Sequence, residues 1–180
     1  EAQGTDEALD APRFQAWLEG LMERGLLADA AVAQSLADVQ GFWALRDACA
    51  EFNQVIGPHI SYDVSLPVGR RAEFAARGKA AWKEQAGAQS IYCGHIGDGN
   101  LHLVSWAEGK SLAEQPKGAM DAAIYGLVKA FAGSVSAEHG IGTQKKKWLG
   151  HSRSDAEIAL MRTLKRALDP LGVLNPGKVI

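Results

Sequence analysis

The sequence has little of what would place it in a specialised class of protein. Its 180 residues include two cysteines, Cys49 and Cys93, without a CxxC spacing. This pattern favours a reducing compartment over a disulfide framework, and we expect both thiols to be small buried residues. No apolar run approaches the roughly 18 residues of a membrane span, and no signal-peptide pattern opens the chain. The sequence predicts a cytoplasmic protein and leaves open a peripheral contact at the inner face of a membrane.

An excess of charge of one sign is also missing. The formal net charge is -2 and the pI is near 6.2, which gives no electrostatic case for binding nucleic acid. The only basic run is Lys145-Lys146-Lys147. We interpret it as a solvated helical face, with steering of acidic substrates as the alternative. It lacks the Gly-Lys-Ser/Thr ending of a P-loop, which excludes that phosphate site.

Hydrophobic periodicity predicts one compact domain, alone or with a small appendage. Apolar residues make up 47% of the chain, enough for a core. Helical spacing predicts helices over about 12–25, 38–55, 68–85 and 154–168, with another around 124–131. Their apolar stripes are expected in the core: Phe14, Trp17, Leu18, Leu21 and Met22, then Phe42, Leu45, Cys49 and Phe52, and finally Ile158, Met161, Leu164 and Leu168.

Three segments have the pattern of strands. Residues 60–66 alternate strictly between apolar and polar side chains before Pro67, and segments 89–95 and 100–106 flank a turn. Helices combined with an antiparallel hairpin predict an α+β fold, in which an antiparallel sheet carries helices mainly on one face.

The stretch GHIGDGNLH suggests a pair of metal-binding imidazoles. If Asp98-Gly99 forms a two-residue hairpin turn, His95 and His102 become directly opposite residues on one face. Their Cβ atoms would then lie about 4.5–5.5 Å apart, close enough for both rings to reach one ion. The alternative is a tight hairpin with two partly buried, hydrogen-bonded histidines.

The stretch SAEHGIG adds a carboxylate and a third imidazole, from Glu138 and His139. Two histidines and one carboxylate form an open ligand set for Zn²⁺ or a similar divalent ion, and a non-ligand His139 could serve as general base. The alternative is a polar helix N-terminus, with Glu138 near the positive end of the helix dipole. Spacing alone does not decide between them.

Taken together, the motifs resemble one protein family. YDVSLPV, GHIGDGNLH, SAEHGIGTQKKKWLG and LDPLGVLNPGK occur in that order. The series is similar to the C-terminal part of the FAD-linked oxidases of the vanillyl-alcohol-oxidase type, within them most to the D-2-hydroxyacid dehydrogenases acting on D-lactate, glycolate and D-2-hydroxyglutarate. It covers about residues 40–180 well and the first 40 loosely.

The resemblance implies a ferredoxin-like substrate-binding cap with C-terminal helices, over a flavin that a separate N-terminal domain holds. The chain begins at Glu1, in a segment that leads straight into a helix, and we expect it to be a fragment without the FAD-binding domain. The isolated fragment is expected to be inactive. The implied partner is a small 2-hydroxy acid; the resemblance leaves the electron acceptor unspecified and a homodimer open.

The resemblance also assigns roles to residues. His95, His102 and Glu138 match the metal ligands, and His139 matches the proposed base. Arg46 matches an arginine that pairs with the substrate carboxylate, a role suited to its planar fork. The implied reaction is hydride transfer from C2 of the hydroxy acid to the flavin, while the metal and His139 activate the hydroxyl group. The product is a 2-keto acid.

Asn175 resembles an asparagine near the flavin, and its alternative is an ordinary Asn-Pro turn. For Arg46 taken alone, the alternative is a solvated helix residue. Relatives acting on 2-hydroxyglutarate carry a lysine and an asparagine where this chain has Ser61 and Val104. A monocarboxylate or a more apolar substrate is therefore at least as well supported as a dicarboxylate.

Two other functions stay open at this point. A metal-dependent hydrolase could use the same two histidines and glutamate, with His139 activating water. A non-catalytic domain could retain the site as a vestige. The hydrolase would turn over as the isolated chain with Zn²⁺, whereas the vestigial domain would bind FAD in the full-length protein and oxidise nothing.

Overall fold

The structure is a computed structural model that describes residues 4–95 and 97–180. The chain divides into two compact units, residues 1–52 and 53–180. Among the described residues, no helix combines the length and apolar character needed to cross a membrane.

The first unit is helical. Helix α1 spans Glu7–Glu23, and the side chain of Asp6 caps it by accepting from the amide of Ala8. Helix α2 spans Leu36–Asp47 after the Ser35 cap, and a 3-10 turn follows over Ala48–Glu51. These helices begin earlier than the periodicity predicts, and α2 ends earlier.

The predicted burial of the first-unit stripes is wrong. Trp17 is 57% exposed, Phe42 45% and Leu45 76%, and Cys49 is exposed as well. A unit this small encloses only part of the apolar surface that its helices carry. Periodicity marks the apolar positions of a helix, but it does not report whether anything covers them.

The second unit contains the sheet. Helix α3 (Phe52–Ile56) crosses the division between the units. The remaining elements are, in order, β1 (Ile60–Ser65), α4 (Arg71–Ala86), β2 (Gln89–His95), β3 (Asn100–Trp106), α5 (Lys117–Ala130) and α6 (Asp155–Leu168). The strand order is β1-β3-β2 and both pairings are antiparallel. The predicted α+β fold with an antiparallel sheet is confirmed.

The connectivity matches most of a ferredoxin-like unit. The order β-α-β-β-α places β3 between β1 and β2, as in that motif. A single antiparallel bridge from Ser134 to Ser65 lies at the free edge of β1, where a fourth strand would pair. This bridge places Ser134 beside the end of β1, a few residues before Glu138 and His139.

One sheet face and two helices form the core. Helices α4 and α5 pack on each other, α4 also against β2 and α5 against β1. The largest fully buried side chains are Trp82, Phe74, Phe131, Leu103, Met120, Ile124, Val64, Val128 and Val135. Trp82 Nε1 donates to the carbonyl of Met120 over 2.9 Å, which ties α4 to α5. In α6, by contrast, Leu164 and Leu168 are 52% and 78% exposed, against prediction.

The hairpin register differs from the predicted one. His95 pairs with Asn100, and His102 pairs with Cys93. Strand β2 ends at His95 and β3 begins at Asn100. Within the turn at residues 97–99, the Asp98 carboxylate accepts from the amide of Asn100 over 2.9 Å, so Asp98-Gly99 does not form the predicted two-residue turn. The observed register is shifted by two residues from the predicted one, since His95 pairs with Asn100 and not with His102. Because side chains alternate along a strand, a shift by an even number leaves His95 and His102 on one face.

Candidate metal and acid–base site

The site lies on the sheet face that points away from the core. Tyr62 and Val64 of β1 face the helices, so Asp63 between them faces the other side. Asp63 pairs with His102 on the central strand. This places a fully buried carboxylate and an imidazole next to each other at the middle of the sheet.

His102 meets the second motif directly. Its Nε2 lies 3.2 Å from Oε1 of Glu138, and its ring stacks on that of His139 with centroids 5.6 Å apart. The side chains of Glu138 and His139 are 54% and 58% exposed, whereas that of His102 is 25% exposed. The two sequence motifs therefore converge on one open surface, which spacing alone left undecided.

His95 lies beside this group in a diagonal position. Its ring is 5.6 Å from that of His102, centroid to centroid, in an edge-to-face arrangement at 77°. A diagonal neighbour is farther away than a directly opposite one but still within reach of a ring. The predicted direct cross-strand pair is wrong, while the proximity of the two rings is real.

The donor set suits a divalent ion. Asp63, His102, Glu138 and His139 each offer one ligand atom, and all four atoms lie within 4.8 Å of one another. Imidazole nitrogens and carboxylate oxygens are ligands that Zn²⁺ and similar ions accept. Asp63 Oδ1 is buried, and no residue of the described ranges hydrogen-bonds to it. His95 stands outside this group of four, although its ring adjoins that of His102.

Glu138 and His139 belong to an irregular segment, so the alternative of a helix N-terminus is wrong. The segment is held by Asp63 instead. Oδ2 of Asp63 accepts from the amides of Ala137, Glu138 and His139 over 2.9, 3.0 and 2.9 Å. A hydroxyl donor, Ser136 Oγ, lies 3.1 Å from the same oxygen. One buried oxygen therefore fixes the backbone that presents both functional side chains.

Lys145 completes this arrangement. Its ammonium donates to the backbone carbonyl of Asp63 and to Ser136 Oγ over 3.1 and 2.9 Å, and lies 3.6 Å from Oδ2 of Asp63. Its side chain is only 14% exposed. The interpretation of the lysine run as a solvated face is therefore wrong for Lys145, which is a largely enclosed counter-ion of Asp63.

The electrostatics favour an ionised Asp63. Burial raises the pKa of its carboxyl group, but the amides of His139 and Glu138 and the ammonium of Lys145 outweigh it, so the pKa lies below its usual value. Burial lowers the pKa of Lys145, and the carboxylate of Asp63 opposes that shift. We read the pair as an ion pair that the backbone amides complete.

Sequence reasoning missed Asp63 and Lys145 as site residues. Asp63 has the alternation of an ordinary outward-facing strand residue, and Lys145 is indistinguishable from the two lysines after it. Only the pairing of β1 with β3 could have found Asp63, since it sets that residue opposite His102.

The two other candidates lie on separate elements. Arg46 belongs to the first unit, where its side chain is 63% exposed, bonds to Asp47 over 2.9 Å and lines a cavity of about 700 Å³. Asn175 is exposed in the C-terminal segment with φ of 47°. Four residues further on, the amide of Val179 donates to the carbonyl of Gly142 over 2.9 Å, which joins this segment to the loop after His139.

Comparison with known proteins places the chain. The sequence model described as FAD linked oxidases, C-terminal domain, matches residues 1–179. The chain belongs to this family. A family of FAD-linked oxidases implies flavin as a cofactor. Among the described residues, the group of Asp63, His102, Glu138 and His139 could hold a metal ion.

Individual relatives share one name. The chain is 35% identical over 181 residues to D-2-hydroxyglutarate dehydrogenase, mitochondrial, of Arabidopsis thaliana, which covers 100% of the chain and 32% of that protein. It is 37% identical over 180 residues to the Rattus norvegicus protein of that name, covering 100% of the chain and 33% of the relative. It is 38% identical over 178 residues to D-2-hydroxyglutarate dehydrogenase of Xanthomonas citri pv. viticola, and this match covers 97% of the chain and 37% of the relative. The chain thus spans about a third of the length of these relatives.

Proposed function

We propose that this chain is the substrate- and metal-binding C-terminal domain of an FAD-dependent D-2-hydroxyacid dehydrogenase, which oxidises a 2-hydroxy acid to a 2-keto acid. The observation that carries the proposal is the 3.2 Å approach of His102 Nε2 to Glu138 Oε1, with His139 stacked beside them. This joins an open ligand set and a candidate base on one surface. Membership in the FAD-linked oxidases supplies the redox partner.

In this proposal His95, His102 and Glu138 hold a divalent ion, which we infer to be Zn²⁺. Such an ion, when bound, lowers the pKa of a hydroxyl group beside it. Asp63 is more deeply enclosed than the other carboxylate, because its side chain is 0% exposed and that of Glu138 is 54% exposed. Glu138 is therefore the better placed carboxylate for an ion that a substrate must also reach.

His139 acts as the general base. Its ring is 58% exposed, so a substrate hydroxyl can approach it, and it stacks on His102 at 5.6 Å. A base must lie within reach of the proton that it removes. The backbone amide of His139 is fixed by Asp63 Oδ2 at 2.9 Å, which holds this residue beside Glu138. His139 would take the proton of the 2-hydroxyl group, and FAD, when bound, would accept the hydride from C2.

Arg46 is proposed to bind the substrate carboxylate and Asn175 to lie near the flavin. Both side chains are exposed, as residues that meet a ligand must be. A guanidinium group binds a carboxylate through two parallel hydrogen bonds. Arg46→Lys keeps the charge and loses that geometry, so it should raise KM for the hydroxy acid by about tenfold, a cost of about 1.4 kcal/mol.

The deciding experiment follows flavin bleaching in the full-length protein. The protein is prepared with Zn²⁺, with Mn²⁺ or without added metal, and mixed with a panel of D- and L-2-hydroxy acids. We expect bleaching with D-acids only, and only with metal. FAD-loaded protein that bleaches with none of them would refute the dehydrogenase and favour the vestigial domain. The isolated chain, assayed with Zn²⁺ against esters and amides, should be inactive; turnover there would favour the hydrolase.

A further inference from the structure

We propose that Asp63 is a positioning residue that sets both halves of the site: the imidazole of His102 and the 136–140 segment that carries Glu138 and His139. The inference rests on the proposed function, because it concerns the same site. It extends the role of this buried carboxylate from holding His139 to orienting the imidazole of His102 as well.

The first half of the argument concerns Oδ2. This oxygen accepts from three consecutive backbone amides, 137–139, at 2.9 to 3.0 Å, with Ser136 Oγ at 3.1 Å. These contacts connect positions that are 73 to 76 residues apart in sequence. Hydrogen bonds to an ionised acceptor are about twice as strong as neutral ones. The carboxylate of Asp63 thus supplies the hydrogen-bond acceptor that a helix or strand would otherwise give to the amides of residues 137–139.

The second half concerns Oδ1. It is buried, no hydrogen bond reaches it from the described part of the chain, and it lies 3.9 Å from Nδ1 of His102. Nε2 of the same ring lies 3.2 Å from Glu138. The carboxylate of Asp63 therefore lies near Nδ1 of His102, and that of Glu138 lies near Nε2 of the same ring. A carboxylate at Nδ1 keeps the proton there and leaves the Nε2 lone pair for a metal ion, the arrangement by which outer carboxylates orient histidine ligands.

These positions place Asp63 outside the ligand set. A carboxylate that binds the same ion as His102 must lie near the ring nitrogen that binds the ion. Glu138 lies near Nε2, whereas Asp63 lies near Nδ1. Oδ2 is already engaged by the amides, and Lys145 at 3.6 Å balances the charge of the group. Separations of 3.9 Å between such partners commonly shorten when the ligand or metal binds.

The first test needs no substitution. The protein is labelled with ¹⁵N histidine and titrated with Zn²⁺ alone, and the ring nitrogens of His102 are followed by NMR. We expect Zn²⁺ at Nε2 and a retained, slowly exchanging proton at Nδ1. Coordination through Nδ1 would overturn the inference, because the face of the ring that Asp63 addresses would then bind the metal.

The second test exchanges the carboxylate for an amide of the same shape. Asp63→Asn keeps one oxygen for the three amides and turns an NH₂ group toward His102, which forces the proton from Nδ1 to Nε2. We expect Zn²⁺ affinity to fall by about 10- to 100-fold. Asp121→Asn is the matched control, since Asp121 is also buried and paired with a lysine, Lys117 at 2.8 Å, but faces the core. Wild-type affinity and tautomer in Asp63→Asn would overturn the inference.

The tautomer of His102 and the affinity for Zn²⁺ are both measured with Zn²⁺ alone, so neither measurement depends on turnover of a hydroxy acid. A protein with the expected tautomer and affinity loss that oxidises no hydroxy acid would sustain the positioning role and refute the dehydrogenase. A protein that bleaches flavin while His102 binds Zn²⁺ through Nδ1 would support the dehydrogenase and refute the positioning role of Asp63. If Asp63→Asn fails to fold, the tautomer of the wild-type protein still decides.

Discussion

Ser61 on β1 pairs directly with Val104 on β3, two residues along each strand from the pair formed by Asp63 and His102. Because side chains alternate along a strand, both pairs occupy one face of the sheet. The two positions at which the family resemblance implies a difference from enzymes acting on 2-hydroxyglutarate are therefore neighbours of each other and of the site. Ser61 is exposed on this face and Val104 is buried beneath it.

We predict that Ser61→Lys shifts preference toward a dicarboxylate. Ser61 is exposed, so a lysine there can extend over the site face and meet a second carboxylate. The ratio of kcat/KM for D-2-hydroxyglutarate to that for D-lactate should rise about tenfold, equivalent to about 1.4 kcal/mol. Ser61→Met is the control of similar length without charge. An equal rise in both variants, or in neither, would show that this position does not select the substrate.

We predict that His102→Ala removes more metal than His95→Ala. His102 touches both Glu138 and the ring of His139, whereas the ring contact of His95 is with His102. Bound metal, measured by mass spectrometry after dialysis, should fall to background in His102→Ala and in the double variant, with the circular dichroism spectrum unchanged. His59→Ala, in the loop before β1, should keep its metal. Full occupancy in His102→Ala would refute the ligand assignment.

We predict that Gly99→Ala destabilises the protein while Gly97→Ala is tolerated. Gly99 has φ of 80°, and an added Cβ would collide with the carbonyl oxygen of Leu66. The conformation and the clash together should cost roughly 2 kcal/mol or more in free energy of unfolding. Gly97, in the same loop, has open space around it. Urea unfolding of both variants is the measurement, and equal stabilities would contradict this account of the hairpin.

We predict that the C-terminal segment loses stability in acid through Asp169. The hydrogen bond from Lys165 lowers the pKa of Asp169, burial opposes it, and the amides of Leu174 and Val173 lower it further. A carboxyl group with a lowered pKa in the folded state stabilises the protein above its ordinary pKa, and the stabilisation disappears as the pH falls through the folded value. The stability difference between wild type and Asp169→Asn should be constant above about pH 5 and shrink progressively as the pH falls below about 3.9, the ordinary pKa of an aspartate. A difference that stays constant or grows on acidification would contradict it.

Local patterns predicted much of this fold. Residues 89–95 and 100–106 form strands with the predicted bounds, and α6 begins within a residue of its predicted start. The two strands flank the turn signal of Asp98-Gly99. A capping box at Ser154 marks the start of α6. The joint site of the two motifs followed only from the resemblance to the FAD-linked oxidases, because spacing alone left a helix N-terminus equally open.

The rest depends on long-range pairing that a single sequence does not encode locally. The hairpin register depends on how the Asp98 side chain is used, and the exposure of Trp17 depends on what covers the helix. The Asp63 carboxylate acquires its role only when β1 pairs with β3 and the 136–140 segment closes over it. Residues of this kind look like ordinary strand or surface positions until the tertiary structure is known.

The shared acceptor of the amides of residues 137–139 also makes that segment open as one cooperative unit. Local opening that frees one of these amides releases the others from Asp63 Oδ2 as well. Hydrogen exchange should therefore protect all three amides to the same degree. In such an opening Glu138 and His139 would leave the site together, and the site would lose its carboxylate and its base at once.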